Sequence, residues 1–114
     1  MQLDEYQAHA RTTMRAGLSD RDALLDAAAG LAEEAAEVLS HVRKQAFFDR
    51  QLDREAVKIE LGDALWCLAA VATNLGFSLG DIANANVEKI KAKAAAYHDK
   101  ARARTNADKM SDER

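Results

Sequence analysis

Two acidic pairs offer the plainest chemistry in this sequence: Glu34 with Glu37, and Glu60 with Asp63. The members of each pair are three residues apart, which on a helix puts both carboxylates on neighbouring positions of one face, able to share a cation. The numbering between the pairs adds a second constraint. An antiparallel hairpin whose turn is centred near residues 48–49 sets positions summing to 97 opposite each other, so that Glu34 faces Asp63 and Glu37 faces Glu60. Four carboxylates then converge between two helices and repel one another unless cations neutralise them.

The elements that must position these groups are helices. The chain has 114 residues, no proline, five glycines, few aromatics and abundant alanine, which favours an all-α fold in a single domain. At this length the buried fraction is modest, and association with further copies would add to it. A net charge of −3 gives no broad attraction to nucleic acid or to an anionic membrane, so a phosphate-bearing partner must be met by a local basic cluster or through metal. Cys67 is the only cysteine and cannot form an internal disulfide; with neither a signal peptide nor a long apolar span in view, the cytoplasm is the expected compartment.

Residues 2–15 place Leu3, Tyr6, Ala10 and Met14 on one helical stripe, with Gly17 as a C-cap. Tyr6 reads as a core anchor and His9 as a surface residue, the alternative being that both line a pocket rim. Ser19 with Asp22 opens a second helix, whose stripe is Leu24, Ala27, Leu31, Ala35, Val38 and Val42. Glu34 and Glu37 flank that stripe, while Glu33 points nearly opposite and is expected in solvent. Residues 47–52 make a connector in which Phe47 and Phe48 cover the hairpin end or a subunit contact. Asp53 is the N-cap of a third helix, which runs to Leu75 before Gly76.

Between Ile59 and Val71 that third helix is apolar almost all round, so it is expected to be buried on more than one side. Glu60 and Asp63 interrupt the wrap on the face that also carries Cys67 and Asn74, and a buried carboxylate must be paired, protonated or metal-bound. Gly62 between them suggests a close approach by another helix or a ligand. Ser78 with Asp81 starts a fourth helix, with Leu79, Ala83, Val87, Ile90, Ala94, Tyr97 and Ala101 as its stripe. Asn86, Lys89 and Lys93 share one flank of it and could grip phosphate oxygens, although basic residues on a helix flank are usually just solvated. From residue 105 the chain is polar and lacks periodicity, and residues 105–114 are expected to be a frayed or disordered tail.

LAEEAAEVL at 31–39, ELGDALW at 60–66 and NVEKIKAK at 86–93 follow one another on three successive helices. In that order they resemble the MazG-type all-α nucleoside triphosphate pyrophosphohydrolases, and the resemblance covers roughly residues 3–97. It implies a four-helix bundle completed by homo-oligomerisation, as a homodimer or homotetramer. It also implies Mg²⁺-dependent cleavage of nucleoside triphosphates between the α- and β-phosphates, giving a nucleoside monophosphate and pyrophosphate, with nucleotide-pool house-cleaning as a use. By matching positions, Glu34, Glu37, Glu60 and Asp63 would be metal ligands, and Glu34 or Glu37 would also act on the attacking water. Asn86, Lys89 and Lys93 would hold the phosphates, and Trp66 is a candidate wall for the base, although its helix suggests a core role instead. A set of acidic groups without a histidine or thiolate cluster suits Mg²⁺, or Mn²⁺ in its place, better than zinc.

Three positions depart from the family pattern: Ala36 stands where glycine is common, Cys67 replaces a frequent tyrosine, and Lys93 replaces a frequent arginine whose bidentate fork lysine cannot reproduce. The phosphoribosyl-ATP pyrophosphatases share the helical plan, but ELGDALW is more similar to the MazG branch. Two other classes compete with an enzyme. A nucleotide- or metal-binding regulatory protein would be stabilised by nucleotide without turning it over, and a structural helical bundle would show no Mg²⁺ dependence.

Overall fold

The computed structural model describes residues 1–112, and all four of the regular elements among them are helices. They are α1 (Leu3–Thr12), α2 (Asp20–Phe48), α3 (Arg54–Asn74) and α4 (Leu79–Asp112). Residues 1–79 form one compact unit, and the chain from Gly80 onward forms a second.

Side-chain caps open the two long helices of the first unit. Ser19 Oγ accepts from the Asp22 N–H at 3.1 Å to start α2, and Asp53 Oδ1 accepts from the Ala56 N–H at 3.0 Å to start α3. The turn between these helices opens at Asp49, a left-handed residue with φ 48°. At the end of α3 the Phe77 N–H bonds to Ala72 O and the Gly76 N–H to Thr73 O, a Schellman pattern that needs the positive φ of 76° supplied by Gly76. α1 stops earlier than its apolar stripe implies. The Thr12 and Thr13 hydroxyls donate back to His9 O and Ala10 O, competing with continuation of the helix. Gly17, with φ 85°, therefore serves the following loop instead of capping α1.

α2 packs along α3, and α1 packs against α3. The expected register is visible at Gly30, where an added Cβ would lie 3.0 Å from Cys67 Sγ; these are two positions that sum to 97. Gly30, not Gly62, is thus the glycine of close approach, since Gly62 is exposed and has nothing within 4 Å of its Cβ position. The core is made of small residues. Ala10, Ala69, Ala72 and Leu79 are buried together, with Tyr6 and Trp66 packed against them. Gln7 ties α1 to the end of α3: its Nε2 donates to Thr73 Oγ1 at 3.1 Å and Phe77 O at 2.9 Å, while its Oε1 accepts from the Leu79 N–H at 2.8 Å.

One expectation about burial is corrected. The inward face of α2 carries Ala27, Gly30, Glu34, Val38 and His41, whereas Ala35 and Val42 of the expected stripe are exposed. α3 is covered on more than one side, by α1 and by α2, as expected, while its Ile59, Leu61, Leu65 and Leu68 remain exposed.

In the second unit, the polar tail expected from residue 105 is helical as far as Asp112, continuing α4. Ala107, Lys109 and Met110 are good helix formers, and neither glycine nor proline interrupts the run. The last two positions of that tail, 113 and 114, lie outside the described residues.

Candidate active site

Helical spacing on α2 and α3 brings three of the four anticipated carboxylates together. Glu34, Glu60 and Asp63 each offer an oxygen, and these oxygens all lie within 4.8 Å of one another. Glu34 and Glu60 are half-buried, but Asp63 is exposed, against the expectation that both acids of α3 would be buried. The buried positions of α3, Cys67, Ala69, Ala70 and Ala72, all follow the two acids along the helix.

Glu34 shows the electrostatic consequence of this crowding. Its carboxyl is pushed up to about 7, first by hydrogen bonding with the Glu60 carboxyl, then by burial and by the charges of Glu60, Asp63 and Glu37. Its Oε2 is buried and finds no hydrogen-bond donor among the described residues. A buried carboxylate oxygen without a donor, beside two more carboxylates, is what a hard divalent cation such as Mg²⁺ or Mn²⁺ satisfies, so the donor set fits the expected ion.

Glu37 lies outside the group of three and is exposed, yet it is near enough for its charge to act on Glu34. Glu33 is exposed on α2. His41 was not anticipated: its Nε2 lies 3.9 Å from Glu60 Oε1, and the ring is half-buried. The signal was present in the sequence, since His41 follows Glu34 by seven residues and Glu37 by four, which is one line down a helix face. Glu60 thus lies between Glu34 and His41, at the level the register assigns to Glu37.

Tyr6 belongs to the surroundings of the cluster as well as to the core. Burial raises its phenol above the ordinary range, and the charge of Asp63 and then Cys67 add to the shift. His9 is exposed on α1. Burial likewise pushes the Cys67 thiol up, followed by the charges of Glu34, Asp63, Asp26 and Glu33, so the group stays a neutral thiol one turn from the carboxylates.

Trp66 combines the two roles weighed for it. It packs against the core, where its Nε1–H donates to Thr13 Oγ1 at 2.8 Å, and it also lines a cavity of about 160 Å³. Asn86, Lys89 and Lys93 are all exposed on α4, in the second unit.

The family model of the MazG nucleotide pyrophosphohydrolase domain matches residues 23–97. That segment contains α2 from residue 23 onward, α3 and the part of α4 that carries Asn86, Lys89 and Lys93. No curated protein and no solved structure matches the chain.

Proposed function

The chain belongs to the MazG nucleotide pyrophosphohydrolase domain family, and we propose that it hydrolyses nucleoside triphosphates between the α- and β-phosphates, releasing a nucleoside monophosphate and pyrophosphate. The observation that carries this reading is the convergence of Glu34, Glu60 and Asp63, with Glu34 Oε2 buried and without a donor. These three residues, supplemented by Glu37, would hold Mg²⁺. When bound, the ion neutralises charge on the phosphate chain and on the departing pyrophosphate.

The remaining work falls to the chain's own side chains. Glu37, exposed beside the cluster but outside the group of three, is the carboxylate we assign to orienting the attacking water and accepting its proton, with Glu34 as the alternative. His41, with its Nε2 3.9 Å from Glu60 Oε1, would pair with that carboxylate when protonated. Asn86, Lys89 and Lys93, one flank of α4, would supply an amide and two ammonium groups to the phosphate oxygens. The exposed Leu61, Leu65 and Leu68 of α3, spaced four and three residues apart on one face, support assembly as a homodimer or homotetramer, because a contiguous apolar helix face is a poor solvent boundary. Removal of unwanted nucleotides from the pool is the cellular use we attach to this reaction.

A panel of ribo- and deoxyribonucleoside triphosphates, assayed for pyrophosphate with Mg²⁺ or with EDTA, tests the proposal. Metal-dependent formation of pyrophosphate and monophosphate in equal amounts is expected. Nucleotide-dependent stabilisation without pyrophosphate would point to a binding protein, and indifference to Mg²⁺ would point to a structural one.

A further inference from the structure

The cavity lined by Trp66 adjoins a polar group that the fold leaves unsatisfied. Asn74 is one of its lining residues, and Asn74 Nδ2 is buried without a hydrogen-bond partner among the described residues, which requires an explanation. Asp26 and Arg15 line the same space, which is otherwise walled by apolar groups including Met14, Leu18 and Trp66. At about 160 Å³ it is too small for a drug-sized ligand, but it has the composition of a ligand pocket: apolar and aromatic walls with a few polar groups among them.

Its position relates it to the carboxylates. Gly30 and Cys67 both line it, and each stands four residues from a member of the cluster, Glu34 and Asp63 respectively. Four residues of helix rise about 6 Å, so the cavity begins one turn from the place assigned to the phosphates and extends away along α2 and α3. The absence of a side chain at Gly30 lets the two helices close against each other at that point.

We propose that this cavity receives the base of the nucleotide and that its polar groups select guanine; the inference rests on the nucleotide reading given above. A carboxylate only accepts, and its two oxygens match two adjacent N–H donors, which the guanine N1–H and N2 amino group provide. Arginine is the side chain that most often pairs with guanine O6 and N7, and the Asn74 amide offers a further donor to a carbonyl oxygen. Uracil sets one N–H between two carbonyls and cytosine sets one amino group beside a bare ring nitrogen, so each leaves an Asp26 oxygen facing an acceptor. Hypoxanthine differs from guanine only by lacking the amino group, which makes it the sharpest comparison.

Trp66 is the only tryptophan, so its fluorescence reports on the cavity directly. GMP, IMP, CMP and UMP titrated into metal-free protein measure base binding without requiring hydrolysis. GMP should quench Trp66 and bind roughly tenfold more tightly than IMP, the effect of one charge-assisted hydrogen bond. In Asp26→Asn, whose exposed position leaves folding intact by circular dichroism, the ratio of GMP to IMP affinity should fall to near one. Absence of quenching by any monophosphate, preference for another base, or a ratio unchanged in Asp26→Asn would overturn the assignment. Pyrophosphate release without base preference would remove this inference alone, whereas GMP binding without turnover would leave it standing and remove the hydrolase reading.

Discussion

Glu34 concentrates the electrostatics of the site. Its carboxyl titrates near 7 instead of near 4.5, so the unfolded chain loses that proton more readily than the folded one. The stabilising contribution is therefore complete below about pH 4.5 and is lost as the pH rises through about 7. Thermal melts of metal-free protein should show lower stability at pH 8 than at pH 5 in excess of that seen for Glu34→Gln, and Mg²⁺ should recover stability at pH 8. Substitution of the ligands gives a second outcome. Glu60→Ala and Asp63→Ala should each lower pyrophosphate release by at least a hundredfold while leaving the helical content intact, and Glu33→Ala should change it less than threefold, on the scale of losses from charge-stabilising groups in other enzymes. At this scale the sequence was informative about acids and less so about their surroundings. Spacing alone brought Glu34, Glu60 and Asp63 together, as the structure has them, but His41 went unread although it stands in line with Glu34 and Glu37 on α2, because its partner Glu60 lies across the helix interface.

The α2–α3 hairpin is the element that converts spacing into a site. Register could be read from the sequence because two acid pairs and one connector leave few ways to align the helices, and Gly30 opposite Cys67 is the result. The glycine of contact could not be read, since Gly62 and Gly30 look equivalent until the faces are fixed. The two now separate in a measurable way. Gly62→Ala meets nothing and should stabilise the protein by about 1 kcal/mol in urea denaturation, the helix-propensity gain. Gly30→Ala places a Cβ 3.0 Å from Cys67 Sγ, and overpacking of roughly 1–3 kcal/mol should cancel or exceed that gain. The double variant Gly30→Ala/Cys67→Ala should recover part of the loss, as removal of the sulfur relieves the contact. The end of α4 was illegible for the opposite reason. A polar stretch without periodicity reads as a tail, whereas extending a helix already formed needs no new nucleus, and α4 continues through residues 105–112 without a buried face.

For the whole molecule, the all-α class followed from composition, and the compact unit of residues 1–79 supports the three carboxylates on a small alanine-rich core. α3 is buried on more than one side, as its sequence implied, but its apolar wrap exceeds what α1 and α2 cover and leaves Leu61, Leu65 and Leu68 exposed. If that face is the oligomer contact we propose, Leu65→Lys should shift the sedimentation coefficient towards the monomer, with native circular dichroism; an unchanged distribution would place the contact elsewhere. The account depends most on the link between the carboxylate cluster and hydrolysis. The most direct test is the amount of nucleoside monophosphate and pyrophosphate formed from a nucleoside triphosphate with Mg²⁺, compared between the unaltered chain and Asp63→Ala at matched folded concentration. Equimolar products that vanish with EDTA and in Asp63→Ala are predicted. Equal turnover by both proteins, or release of orthophosphate and a nucleoside diphosphate instead, would contradict it.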